Sequence, residues 1–112
     1  MLVELDVFSG RPNPRWELDE AASREVRRRA STLVPATVPA PEPPGLGYRG
    51  FVYADPEGPA RIYRGYLRLA GRVLADPALG IEQLLLGHLP PELATLRPMV
   101  ARELGGTPGH HA

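Results

Sequence analysis

Cysteine is missing from all 112 residues, which excludes disulfides, thiol nucleophiles and thiolate metal sites. Lysine is missing too. All 13 basic residues are arginine, so a catalytic lysine is excluded and every cation is a planar, multidentate donor. The arginines meet 13 acids, for a formal net charge of zero. Sequence-independent nucleic-acid binding draws on a basic excess, so a nucleic-acid module ranks third among the functional classes. No apolar run reaches membrane length, and the N-terminus lacks a basic-then-apolar signal pattern; the expectation is a soluble, cytoplasmic protein. There is no HExxH, no His-Cys cluster, no Walker loop and no GxSxG, so no cofactor or metal is expected. His110 and His111 are adjacent near the C-terminus, but a metal site needs more ligands.

What is present suits one α+β domain over 1–104 with a flexible tail at 105–112. "LVELDVF" alternates, with Val3, Leu5 and Val7 on one face and Glu4 and Asp6 on the other, as in a half-buried strand. Asp19 is an N-cap, and "EAASREVRRRASTL" reads as a helix with Ala22, Val26, Ala30 and Leu33 along its apolar stripe. The pairs Glu20–Arg24 and Glu25–Arg29 lie four residues apart in the favoured order. Residues 34–47 form a proline-rich internal connector, long enough as polyproline II (roughly 40 Å) to return the chain across the domain. Asp76-Pro77 predicts a helix start, with Ile81, Leu84, Leu85 and His88 on one face. A last helix near 91–104 should be kinked or split by Pro98.

Two aromatic-rich runs, "YRGFVYA" and "ARIYRGYLRLAG", flank "DPEGP" and predict a β-hairpin over 48–54 and 61–69. If Ala54 faces Arg61, Gly50 falls opposite Gly65. Tyr48, Val52, Tyr63, Leu67 and Leu69 then share the core face. Arg49, Phe51, Tyr53, Ile62, Arg64, Tyr66 and Arg68 share the other, where Glu4 and Asp6 can pair with Arg64 and Arg68. The expected fold class is therefore α+β, with a small antiparallel sheet covered on one face by helices. It takes the form of a split β-α-β with a β-hairpin, the third strand lying between the first and second.

The segment "DVFSGRPNPRWEL" carries the functional expectation. A residue before proline is driven from the α region, and Arg11 and Asn13 both occupy that position. Pro12 and Pro14 fix their own φ, while Gly10 frees the chain to turn. Trp16 and Leu18 can anchor the far end. The result is a stiff loop presenting Arg11, Asn13, Arg15 and Trp16, with Arg49 and Arg64 as possible neighbours. Preorganised donors lose less entropy on binding, and guanidinium matches carboxylate or phosphate bidentately. The expectation is a non-catalytic accessory domain that binds a protein or a small anionic ligand. The alternative is a small enzyme acting on an anionic metabolite at the same loop. A purely structural reading stands on an equal footing with a site: Asn13 caps backbone groups, Arg11 stacks on Trp16, and the loop plugs one end of the sheet. "VFSGRPNPRWEL", "GLGYRGF", "YRGY" and "GRVLADP" together resemble a family of small, mostly uncharacterised bacterial proteins with an N-terminal SGRPNPxW signature. The resemblance spans residues 3–85 and implies that these segments belong to one domain type; it implies no activity.

Overall fold

The computed structural model describes residues 1–105. The expected tail therefore lies, from residue 106 on, outside the described residues. The chain is α+β, with seven strands in one open antiparallel sheet and helices on one face. The strands are β1 (Leu2–Leu5), β2 (Arg15–Glu17), β3 (Val34–Pro35), β4 (Phe51–Asp55), β5 (Gly58–Tyr63), β6 (Tyr66–Leu69) and β7 (Arg72–Ala75). The helices are α1 (Glu20–Ser31), α2 (Gly80–Gly87) and α3 (Arg97–Gly105), with a 3-10 helix at Pro91–Leu96. Strand order is β2-β1-β4-β5-β6-β7-β3. Thus β4, not the strand after it, neighbours β1. The expected split β-α-β is not formed, because its first and second strands, β1 and β4, are adjacent and antiparallel; α1 instead joins β2 to β3, the two outermost strands, which run parallel to each other with the other strands between them.

The aromatic hairpin exists, but its register is shifted by two residues. Ala54 lies opposite Pro59 and Val52 opposite Arg61, so Gly50 does not face Gly65. A tight turn at Pro56–Glu57 is the cause. The Asp55 carboxylate accepts from the Glu57 N–H at 2.9 Å, and Gly58 supplies a φ of 126°. The run 61–69 is not one strand either. Arg64 and Gly65, at φ 49° and 82°, make a two-residue turn of the kind that matches strand twist, and Ala70 and Gly71 at 52° and 77° make another. Side-chain alternation restarts at each turn, so Tyr48, Tyr63, Leu67 and Leu69 are buried as expected, while Phe51, Tyr53 and Ile62 are buried too and Val52 turns to the open face. Leu5, Phe51, Ile62, Leu67 and Leu74 form an unbroken buried row across five strands. Glu4, Val52, Arg61, Arg68 and Val73 form the open-face row beside it. Phe51 and Tyr53 are core residues rather than neighbours of the open-face arginines.

Against the buried row pack Val26 of α1, Ile81 and Leu85 of α2, and Val100 and Leu104 of α3. Each such side chain contributes roughly 1.5–3 kcal/mol by leaving water. Asp19 caps α1 as expected, its Oδ1 accepting from the Ala22 N–H at 2.8 Å. Glu25 meets Arg28 and Arg29, which hold its carboxyl down at about 2. Helix α2 begins at Gly80 rather than at Pro77. Asp76 still serves its start by accepting from the Ile81 N–H at 2.9 Å, across a left-handed Leu79. His88 is exposed at the end of α2 rather than on its packed face. The last helix divides as expected, into the 3-10 turn and α3, with Pro98 in the first turn of α3, where proline is tolerated.

The proline-rich connector begins as edge strand β3 on β7 and then returns to β4, passing Glu42 within 3.6 Å of Arg68. Both sheet edges are short and carry proline, Pro14 just before β2 and Pro35 within β3. Such edges resist pairing with another chain.

Candidate functional site

The RPNP loop lies between β1 and β2 and is held from inside. Asn13 uses its whole amide. Its Oδ1 accepts from the Val7 and Phe8 N–H groups at 3.0 and 2.7 Å, and its Nδ2 donates to Glu4 and Asp6 at 3.0 and 3.1 Å. The Leu5 N–H donates to the Pro14 carbonyl at 3.0 Å. Pro12 and Pro14 leave the chain between them few alternatives, so these bonds fix a segment that is already stiff.

Asp6 is the hub behind the loop. Arg49 donates to its Oδ1 through Nη2 and Nε at 2.7 and 3.0 Å, and Arg61 donates to its Oδ2 at 2.8 Å. The two arginines then tie the hub to the backbone. Arg49 reaches the Phe8 carbonyl at 2.8 Å and the Gly45 carbonyl at 3.0 Å, and Arg61 reaches the Arg49 carbonyl at 2.7 Å. Burial pushes the Asp6 carboxyl upward, but hydrogen bonds and charge from Arg49 and Arg61 outweigh it and hold the group below its ordinary range. Glu4 pairs with Arg15 at 3.1 Å. The expected pairing of these acids with Arg64 and Arg68 does not occur. The shifted register places Arg61, opposite Val52 and so one strand beyond it in the row that starts at Glu4, within reach of Asp6.

Of the loop residues singled out in the sequence, Asn13, Arg15 and Arg49 are thus engaged within the domain. Trp16 is half-buried with its ring edge-on to Phe51 at 6.4 Å, and its Nε1 is buried without a partner. Arg11 does not stack on Trp16. Its guanidinium lies over the Phe8 ring, 3.8 Å from the centroid, exposed and without an ion pair among the described residues. Arg64 stands apart, in the β5–β6 turn, where it meets Glu103 of α3 at 2.6 Å and the Tyr63 hydroxyl at 3.1 Å.

A second polar centre escaped the sequence reading. Glu82 on α2 is fully buried. Its carboxylate accepts from the Gly65 N–H at 2.7 Å, the Arg64 N–H at 2.9 Å and the Tyr48 hydroxyl at 2.5 Å. Burial, reinforced by the adjacent Glu82 charge, raises the Tyr48 hydroxyl far above its usual range and keeps it a donor. The hint in the sequence was a lone acid flanked by apolar residues, "GIEQLLL", one residue from the Ile81 stripe.

Beside the loop, the open face holds a shallow trough of about 440 Å³ along β1, β4 and β5. Leu2, Val52, Ala54 and Pro59 floor it, and the Glu4–Arg15 pair closes one end. No helix among the described residues is long and apolar enough to cross a membrane. No group of three or more metal-ligating side chains occurs among them. No family model, curated protein or solved structure matches the chain.

Proposed function

We propose that the chain is a non-catalytic binding domain that contacts an anionic group on a protein or small ligand through the RPNP loop, with Arg11 at the centre. The observation that carries this reading is the contrast within one loop. Every hydrogen-bonding site of the Asn13 amide is spent on holding the segment in place, while Arg11 is stacked on Phe8 with no carboxylate partner among the described residues. A guanidinium resting on an aromatic ring has fewer rotamers to lose on binding, and its outward N–H groups suit a carboxylate or phosphate. Asn13, Arg49, Asp6 and Arg61 are the brace that positions it. Arg15 and the trough beside it supply a neighbouring charged and apolar surface.

Asp6 suits a brace better than a proton-transfer role, because two arginines favour its ionised form and a general acid needs a raised pKa. The test is an affinity pull-down with the wild type beside Arg11→Ala and Arg11→Lys, followed by thermal unfolding of all three. The reading requires a partner that both variants lose or bind more weakly, with melting temperatures unchanged. A partner retained by Arg11→Ala overturns it, as does a variant that fails only because it unfolds.

A further inference from the structure

A second concavity lies at the other end of β4 from Arg49. It is a cleft of about 540 Å³ between the C-terminal half of α1, edge strand β3 and the β4–β5 turn. We infer that this cleft binds a small amphipathic monoanion, a molecule with an apolar body and a single carboxylate, independently of the RPNP loop.

Three observations support the ligand class. The volume falls in the range of small-molecule pockets, and the floor is apolar, built from Ala30, Leu33, Leu69 and Leu74. Two arginines line it, Arg27 from α1 and Arg72 from β7. Their present partners are weak holds. Arg27 reaches Glu20 only at 3.9 Å, and Arg72 meets Glu57 at 3.0 Å, with both acids well exposed. Exposed ion pairs of this kind give up little when a guanidinium turns to a new carboxylate. The charge of the ligand is bounded from the other side. Asp55 and Glu57 also line the cleft, so its formal charge is balanced, which favours a monoanion over a nucleotide or another polyanion.

Decanoate is the probe, with decanol as its uncharged counterpart, each titrated into the isotopically labelled full chain and followed by backbone amide shifts. Saturable decanoate shifts confined to residues 27–35, 55–57 and 69–74 are expected, with decanol at least about fivefold weaker. The Arg27→Ala, Arg72→Ala double variant should bind decanoate at least about fivefold more weakly, with its spectrum otherwise preserved. Ala30→Trp should fill the cleft and abolish the shifts, while Arg11→Ala should leave them unchanged. Absent or scattered shifts would overturn the inference, as would equal binding of decanol or full affinity in the double arginine variant. If Ala30→Trp does not fold, the arginine variant and the decanol comparison decide the matter alone.

Discussion

Two buried carboxylates each secure a loop, by opposite means. Asp6 is met by guanidinium groups, from Arg49 and Arg61, and by the Asn13 amide. Glu82 is met by two backbone N–H groups and a hydroxyl, with no arginine side chain hydrogen-bonded to it among the described residues. Charge pairing forgives imperfect geometry, because attraction persists over several ångströms and long side chains can adjust. Backbone N–H groups cannot move without moving the turn. The Asp6 site is therefore a brace for a presented loop, whereas the Glu82 site locks α2 to the sheet through the Arg64–Gly65 turn.

The largest effect should come from removing Glu82. Glu82→Ala leaves two N–H groups and the Tyr48 hydroxyl without their acceptor inside the core, an expected loss of about 3–5 kcal/mol. Glu82→Gln keeps an acceptor oxygen and should lose clearly less. Urea unfolding of both variants measures the difference, and equal losses would show that shape rather than hydrogen bonding holds the turn. Asp6→Asn should be milder, about 2–3 kcal/mol, because Arg49 and Arg61 retain partial access to water. Its pH signature is distinct. The folded-state carboxyl of Asp6 lies below its ordinary 3.8, so its contribution is complete above that value and fades as pH falls through the lowered one. Wild type should lose more stability than Asp6→Asn as pH falls below about 4. Parallel curves would remove Asp6 from the acid response.

Two glycines sharpen the contrast, since Gly10 in the RPNP loop and Gly65 beside Glu82 share a φ of 82°. An added Cβ at Gly10 meets nothing within 4 Å, but at Gly65 it meets the Asp76 carbonyl at 2.9 Å and a Leu79 methyl at 3.0 Å. Gly10→Ala should cost about 1 kcal/mol, the left-handed backbone term alone. Gly65→Ala should cost about 2–3 kcal/mol, because the backbone must shift as well. Similar melting temperatures for the two variants would mean that the Glu82 turn is looser than its contacts imply.

The same contrast explains what could be read from the sequence. Alternation in "LVELDVF" was sufficient to turn Asp6 and Glu4 away from the core, and the Asp19 cap and α1 stripe followed from local chemistry. Local chemistry also marked the RPNP loop as stiff. Register was not legible, because it depends on whether the turn in "DPEGP" uses two residues or more, and strand alternation fits either choice. Nor was the Arg64–Gly65 turn, since "IYRGYLRL" reads equally as one strand with a glycine in it. Read as one strand, that run turns Phe51 and Tyr53 to the open face and leaves Glu82 with no visible partner. A buried acid answered by backbone groups leaves no complementary charge in the sequence to find.

The smallest expected effect on folding belongs to Arg11, and its smallness is what makes it informative. Its guanidinium touches Phe8 and, among the described residues, no carboxylate, and it is exposed. An exposed cation–π contact is worth about 0.5–1 kcal/mol, part of which returns as side-chain freedom when the contact is removed. Arg11→Ala should therefore shift stability by no more than about 0.5 kcal/mol, whereas Asn13→Ala, which strips four hydrogen bonds from the same loop, should cost about 2 kcal/mol or more. Urea unfolding of the two variants side by side measures the gap. A large loss for Arg11→Ala would make the stacked guanidinium another strut of the loop. A small loss for Asn13→Ala would mean that the two prolines hold the segment unaided, and that the brace behind Arg11 is dispensable for presenting it.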